Sequence, residues 1–254
     1  MKTISKFILL LFICFIPLSS FKLQQELDAK EIVKKSDEKL RGKSNKAVMT
    51  MRIIRPEWER SMSMQSWSKG DDYALVLITA PAKDKGTVSL KRENELWNWM
   101  PSIERTIKVS PSMMSQSWMG SDFTNDDLLK QSSIVQDYIH TIEGEEAING
   151  FNCYKINLEP KPDAPVVWGK IVLWISKGEF HQVKAEYYDE EEYLINVMQA
   201  SEPAQMDGRE FLTRLEMIPV DEEGNKTVIT YENIDFDIDI SERFFSMQNM
   251  RRVR

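Results

Sequence analysis

"AVMTMRIIRPEWERSMSMQSW", residues 47–67, decides the fold class of this chain. Met49, Met51 and Ile53 alternate with Thr50 and Arg52. Beyond the turn signal "RPEWER", Met62 and Met64 alternate with Ser61, Ser63 and Gln65. A period of two places one set of side chains on one face of a strand. Two such runs across a short Pro-containing turn predict an antiparallel hairpin with its methionines on matching faces.

The same period extends in both directions. "DYALVLITAP", "GTVSLKREN", "ELWNWMP" and "ERTIKVS" follow, each bounded by Gly, Pro, Asp or Asn. No helix-length pattern separates them, which disfavours βαβ units and predicts a meander. Residues 111–136 break the alternation and read as a loop with one or two short helices. Strands then resume: "YIHTIEGEEAI", "FNCYKINLEP", "KIVLWIS", "EYLINVMQAS", "REFLTRLEMIPV" and "KTVITYENIDF", with "KGEF", "DEEE" and "DEEGN" as hairpin loops. "ISERFF" reads as one helical turn and "SMQNMRRV" as a last extended piece. Ahead of the hairpin, "DAKEIVKKSDEKLRG" predicts a short helix, with Asp28 at its cap, Gly42 at its stop and Ile32, Val33, Ser36 and Leu40 on one side.

Several strands are apolar on both faces. In "KIVLWIS", Ile171, Leu173 and Ile175 point one way, Val172 and Trp174 the other. A sheet with one wet face would alternate more cleanly. About a dozen strands in one sheet curl rather than lie flat. The fold class is therefore mainly β: a single curled antiparallel sheet with few helices. Its concave side is either filled by helices or left as a pocket.

The first residues have a different character. "MKTISKFILLLFICFIPLSS" has Lys2 and Lys6, an apolar run from Phe7 to Ile16, then Pro17 and small residues to Ser20, the layout of an export signal. The run is short of the ~20 apolar residues of a membrane span. We expect residues 1–20 to be a signal peptide cleaved near Ser20, and residues 21–254 to form one domain. Cleavage removes two lysines and no acids, moving the formal charge from −7 to −9. So acidic a chain has no electrostatic reason to bind nucleic acid. Cys153 is then the one remaining cysteine, so stability must come from the core.

Little points to reaction chemistry. Asp122, Thr124 and Asp126 have calcium-loop spacing, but Asp127 stands where the sharp turn needs Gly and Ser133 where the loop needs Glu. His140 and His181 are the only histidines and lie far apart in sequence. We expect no metal, no cofactor and no catalytic residues. No GxSxG elbow or Gly-rich phosphate loop is present. "TNDD" reads better as a capping box, Thr124 at the cap and Asp127 three residues on. Gly120 would be the hinge before that helix.

The positive signal is greasy. Fourteen methionines and seven tryptophans are many, and Met suits surfaces that adapt to a variable apolar partner. Met49, Met51, Met62 and Met64 lie on adjacent strands, while Met113, Met114, Trp118 and Met119 sit in the one segment able to cover them.

Residues 40–128, above all "LWNWMPS" (96–102) and "MGSDFTNDDL" (119–128), resemble the bacterial family of outer membrane lipoprotein-sorting proteins, as does the ending "ERFFSMQNMRR". That family is similar in fold to the LolA/LolB periplasmic lipoprotein carriers. The resemblance implies an unclosed half-barrel whose short helices lid an apolar cavity for acyl chains. It implies a periplasmic, non-enzymatic carrier of lipoprotein acyl chains or other lipid, with an inner-membrane transporter as donor and an outer-membrane acceptor. On that footing we expect Met49, Met51, Met62, Met64, Trp97 and Trp99 as cavity wall. Met113, Met114, Trp118, Met119 and Gly120 would form the lid. Arg105, the nearest upstream strand cation, would pair with Asp122 or Asp126 as its latch. The alternative is a regulatory or scaffold module that binds a membrane-protein partner through the same surface.

Overall fold

The computed structural model describes residues 28–129 and 133–253; the expected signal peptide lies outside them. The first helix, α1 (Ala29–Arg41), begins and ends as its sequence predicts. The Asp28 carboxylate accepts from the Glu31 N–H at 2.7 Å, and Gly42, at φ 63°, returns its N–H to the Glu38 carbonyl. Capping groups of this kind satisfy backbone polar groups that a helix end leaves bare. The buried side carries Ile32, Val33 and Ser36.

Thirteen strands form one antiparallel sheet. The first meander is β1 (Ser44–Arg55), β2 (Trp58–Lys69), β3 (Tyr73–Ala80), β4 (Val88–Arg92), β5 (Glu95–Met100) and β6 (Arg105–Lys108). The second is β7 (Tyr138–Ile148), β8 (Phe151–Pro160), β9 (Lys170–Ser176), β10 (Gln182–Tyr188), β11 (Leu194–Met206), β12 (Arg209–Pro219) and β13 (Lys226–Phe236). Pairing of β1 with β13 joins the two meanders, so β6 and β7 are the free edges. The sheet is curled and does not close. Register shifts at Val48/Met49, Ser63/Met64 and Tyr187/Tyr188 mark bulges, which raise local twist.

The topology places the covering segment. Residues 109–137 connect one free edge of the sheet to the other, and they include α2 (Asn125–Leu129) and α3 (Ser133–Gln136). A chain joining the two rims of a trough has a short path across its mouth.

Both faces of the sheet are apolar, as the doubly greasy strands predict. The large inner cluster includes Met49, Met51, Met62, Met64, Ile171 and Leu173, together with Ile32 and Val33 of α1. Met49 stands opposite Met64 and Met51 opposite Met62. Two smaller clusters occupy the outer face. One contains Val172, Trp174 and Cys153. The other, Leu75, Leu77, Val88 and Leu90, is covered by Phe245 and Met250 from the C-terminal segment. That segment departs from expectation: the helical turn spans Glu242–Phe244, but Met247–Met250 is a short helix, α4, rather than an extended piece. Ser246 caps it, its hydroxyl accepting from the Asn249 N–H at 3.2 Å.

Candidate functional site

The covering segment is tied to itself first. Thr124 and Asp127 form the expected reciprocal capping box: the Asp127 N–H donates to Thr124 Oγ1 at 3.0 Å, and the Thr124 N–H to Asp127 Oδ2 at 2.8 Å. The stretch before α2 is not a loose hinge. Ser117 and Thr124 form an antiparallel bridge, and the Ser121 N–H donates to the Trp118 carbonyl at 3.0 Å. Met119 and Gly120, both at positive φ (53° and 79°), form the tip of that turn. Gly120 supplies a backbone conformation that turn tips of this hand require. The Asn125 amide donates to the Met113 carbonyl at 2.9 Å, closing the loop from the other side.

The loop is then tied to the sheet by two arginines that flank the first hairpin turn. Arg55 forks onto Asp122, with Nη2 to Oδ1 at 2.8 Å and Nη1 to Oδ2 at 3.1 Å. The Asp122 carboxylate also accepts from Thr227 Oγ1 at 2.6 Å, and the Asp122 backbone N–H donates to the same Oγ1 at 2.9 Å. Arg60 donates to the Met119 carbonyl at 3.2 Å and to Asp84 at 2.9 Å. Arg105 has no part in this: it is exposed on edge strand β6, opposite Met100. The cation facing Asp122 is Arg55. Asp126 is buried in the loop and donates its N–H to the Met114 carbonyl.

Between loop, α1 and inner face lies a cavity of about 230 Å³. Met49, Met64 and Trp118 line it; Met51 and Met62 are buried in the same core without reaching the open space. Met114 is buried beside them, and Met113 and Met119 pack half-buried against that core. Trp97 and Trp99, expected in the wall, lie on the opposite face against the C-terminal cluster. Alternation explains it: on β5 Leu96 points inward, so Trp97 and Trp99 cannot all follow it.

Sequence reasoning missed much of the wall, because it comes from the second meander: Ile171, Tyr187, Met198, Phe211 and Tyr231. Trp168, from the β8–β9 connection, closes one end. Its Nε1–H donates to Asp127 Oδ1 at 2.8 Å. Burial pushes the Asp127 carboxyl above its usual range, against the hydrogen bonds from Trp168 and Thr124 that favour its charge. The Tyr138 phenol donates to the Trp168 carbonyl at 3.1 Å. At the other end Arg41 meets Asp37, its Nε donating at 3.0 Å, and Asp71 at 2.5 Å. Inside, the wall is greasy; its charges are paired at the ends. Among the described residues no three His, Cys, Asp or Glu side chains converge on a point that could hold a metal.

The turns at the Arg55 end expose large apolar side chains: Trp58 (52%), Ile103 (53%), Tyr193 (65%) and Val220 (46%). Strand pairings Ile54↔Lys226 and Asn196↔Pro219 put the turns of Trp58, Tyr193 and Val220 at one end of the sheet.

No curated protein matches this chain. Solved structures do. A DUF1329 family protein from Desulfovibrio piger is similar at 24% identity and a TM-score of 0.80, over 87% of this chain and 97% of that one. An outer membrane lipoprotein-sorting protein domain from Vibrio parahaemolyticus is similar at 21% identity and TM-score 0.79, over 88% and 98%. A LolA superfamily protein from Nitrosomonas europaea is similar at 25% identity and TM-score 0.75, over 88% and 99%. A family model described as "Uncharacterized protein" matches residues 70–252. With most of the chain inside that match, the protein belongs to that family, and its unclosed half-barrel is LolA-like.

Proposed function

We propose that this protein is a non-enzymatic periplasmic carrier that takes acyl chains of lipoproteins or other lipids into its cavity and passes them towards the outer membrane. The observation that carries the reading is a greasy cavity covered by a loop that packs Trp118 and Phe123 inward and is pinned to the sheet by Arg55 and Arg60. Apolar walls attract hydrocarbon at ~0.8 kcal/mol per buried methylene. Lifting the cover as a unit breaks the Arg55–Asp122 tie and uncovers Trp118 and Phe123, while its own hydrogen bonds stay intact. The cavity of about 230 Å³ is smaller than the ~300–1,000 Å³ of ordinary ligand sites. A full acyl chain therefore enters only with the loop raised, which makes residues 113–127 a lid and Arg55 with Arg60 its latch. The likeness to the Vibrio lipoprotein-sorting domain and the Nitrosomonas LolA superfamily protein supports the same reading, as does the export-signal pattern of residues 1–20.

Native mass spectrometry of freshly purified protein tests it. The expected spectrum holds adducts of lipid mass that disappear on organic extraction. Protein that is bare, and that fails to bind added lipid, ends the carrier reading. The second reading, a module that binds a membrane-protein partner, is favoured by one observation: the exposed Trp58, Tyr193 and Val220 at the lid end. Bare protein that retains a specific partner, released by Trp58→Ala, would establish it.

A further inference from the structure

Four tyrosines line the cavity, and they differ in what their hydroxyls meet. Tyr73 reaches Glu242 at 3.4 Å, Tyr138 the Trp168 carbonyl at 3.1 Å, and Tyr187 the Met198 sulfur at 4.0 Å. Among the described residues, the Tyr231 hydroxyl has no hydrogen-bond partner. Its ring is fixed edge-on against Phe211, with centroids 4.9 Å apart. Its strand neighbour on β1 is Met49, another wall residue. Burial alone pushes its pKa up to about 12; no hydrogen bond contributes. Tyr231 is half-buried, so its unpartnered hydroxyl faces the open space of the cavity and not packed protein; a phenylalanine would line the same space without a polar group.

The backbone around Tyr231 is also unusual. The register of β13 on β1 jumps from Val48↔Asn233 to Met49↔Tyr231, leaving Glu232 as the extra residue of a bulge. Bulges re-aim the side chains beside them. Here the bulge accompanies the change of facing along β13, where Ile229 and Tyr231 point inward and then Ile234 does.

We propose that the Tyr231 hydroxyl is the cavity's hydrogen-bond donor to the carbonyl of a bound acyl group, so that the site selects acyl esters, amides or acids over plain hydrocarbon. This rests on the carrier reading. The shared chemistry is an acyl carbonyl, and its source is either an esterified lipid or a free fatty acid. A carbonyl in the cavity gives the Tyr231 hydroxyl an acceptor that the protein itself does not supply. Hydrocarbon of equal length fills the same space and leaves the phenol bare. Discrimination by such a group is stronger than discrimination by one methylene, because the wrong ligand leaves a buried donor unpaired.

The test is competition of methyl palmitate, palmitate and hexadecane against a fluorescent apolar dye, on the wild-type chain and on Tyr231→Phe. Wild type should bind the carbonyl ligands more tightly than hexadecane. Tyr231→Phe should weaken methyl palmitate, palmitate or both by about two- to tenfold, the worth of one hydrogen bond, and leave hexadecane unchanged. Whichever of the two loses more identifies the source. The melting temperature of unliganded Tyr231→Phe should stay close to wild type, since the ring is kept; a hydroxyl that served the fold through a hydrogen bond would lower it on removal. Equal effects on all three ligands, or none, overturn the proposal while the carrier reading stands. If none of the three displaces the dye or binds wild type, the carrier reading falls and this proposal with it.

Discussion

On the outer face of β3 and β4, Leu75, Leu77, Val88 and Leu90 are sealed by Phe245 and Met250 of the same chain. On the inner face, Met49 and Met64 look into open space beneath residues 113–127. Both patches are greasy and both lie on one sheet. They differ in what covers them. The outer cover is hydrophobic and interlocks, with Phe245 and Met250 both 0% exposed. The inner cover keeps its own capping box and bridge, buries Met114, Trp118 and Phe123 in the inner core, and adds polar ties to the sheet through Arg55, Arg60 and Thr227. A cover of the first kind belongs to the core and comes off only by unfolding. The inner cover shares that apolar packing but adds polar ties that a single substitution can cut. Apolar surface alone therefore does not identify a binding site; the manner of its closure does.

The largest expected effect breaks the outer seal. Phe245→Ala removes a fully buried ring, at a cost of ~3–5 kcal/mol. At ~2–4 °C per kcal/mol for a domain of this size, the melting temperature should fall by roughly 6–20 °C. Dye binding in the cavity, measured well below that temperature, should be unchanged. A matching loss of dye affinity would show that the two faces are not independent.

A smaller, local effect comes from unlatching the inner cover. Arg55 and Asp122 are 15% and 6% exposed at their side chains. Removing one partner of a fully buried pair costs ~3–5 kcal/mol. Here Asp122 keeps Thr227, so ~1–3 kcal/mol is expected for Arg55→Ala. Amide exchange at residues 118–123 should quicken by about tenfold or more, with little change in the strands. Arg55→Lys keeps the charge but loses the fork, and should fall between. Arg105→Ala should match wild type. Protection of 118–123 that survives Arg55→Ala would assign the closure to Trp118 and Phe123 instead.

Most of the fold was readable in advance because its signals are local. Alternation at Met49–Ile53 and Met62–Met64 predicts the hairpin that forms, and the two-sided strand "KIVLWIS" predicts coverage of both faces. The caps at Asp28 and Thr124 are contacts over three residues, and both form. The site was less readable because its contacts are long-range. Arg55 meets Asp122 across 67 positions, and Trp168 meets Asp127 across 41. Nearness in sequence favoured Arg105 as partner; the curl of the sheet brings Arg55. The facing of Trp97 and Trp99 was undecidable from "LWNWM", since either face of an apolar strand can be the inner one. Only the position of Leu96 in the inner cluster settles it. The final helix was missed because "SMQNM" lacks an apolar period; the Ser246 cap and the packing of Met250 make it.

The smallest effect compares two tryptophan–carboxylate pairs, one per face. Inside, Trp168 donates to half-buried Asp127 at 2.8 Å; outside, Trp174 donates to exposed Glu146 at 2.8 Å. Burial raises the Asp127 carboxyl above its ordinary value of 3.8. Between that value and its raised folded one, the native chain holds a proton that the unfolded chain has released. Stability from this group is therefore fully present below the unfolded pKa and is lost as pH rises through the folded one. Asp127→Asn cannot titrate, so its stability should lack that part of the decline with pH. It also loses one acceptor for Trp168 or Thr124, a constant offset of about 1 kcal/mol. Glu146→Gln on the exposed pair should change stability by less than ~0.5 kcal/mol. Urea unfolding from pH 4 upward reads both. If Asp127→Asn keeps the wild-type slope, the buried carboxylate is ionised at no cost, and the inner face is wetter at the Trp168 end than its greasy lining implies.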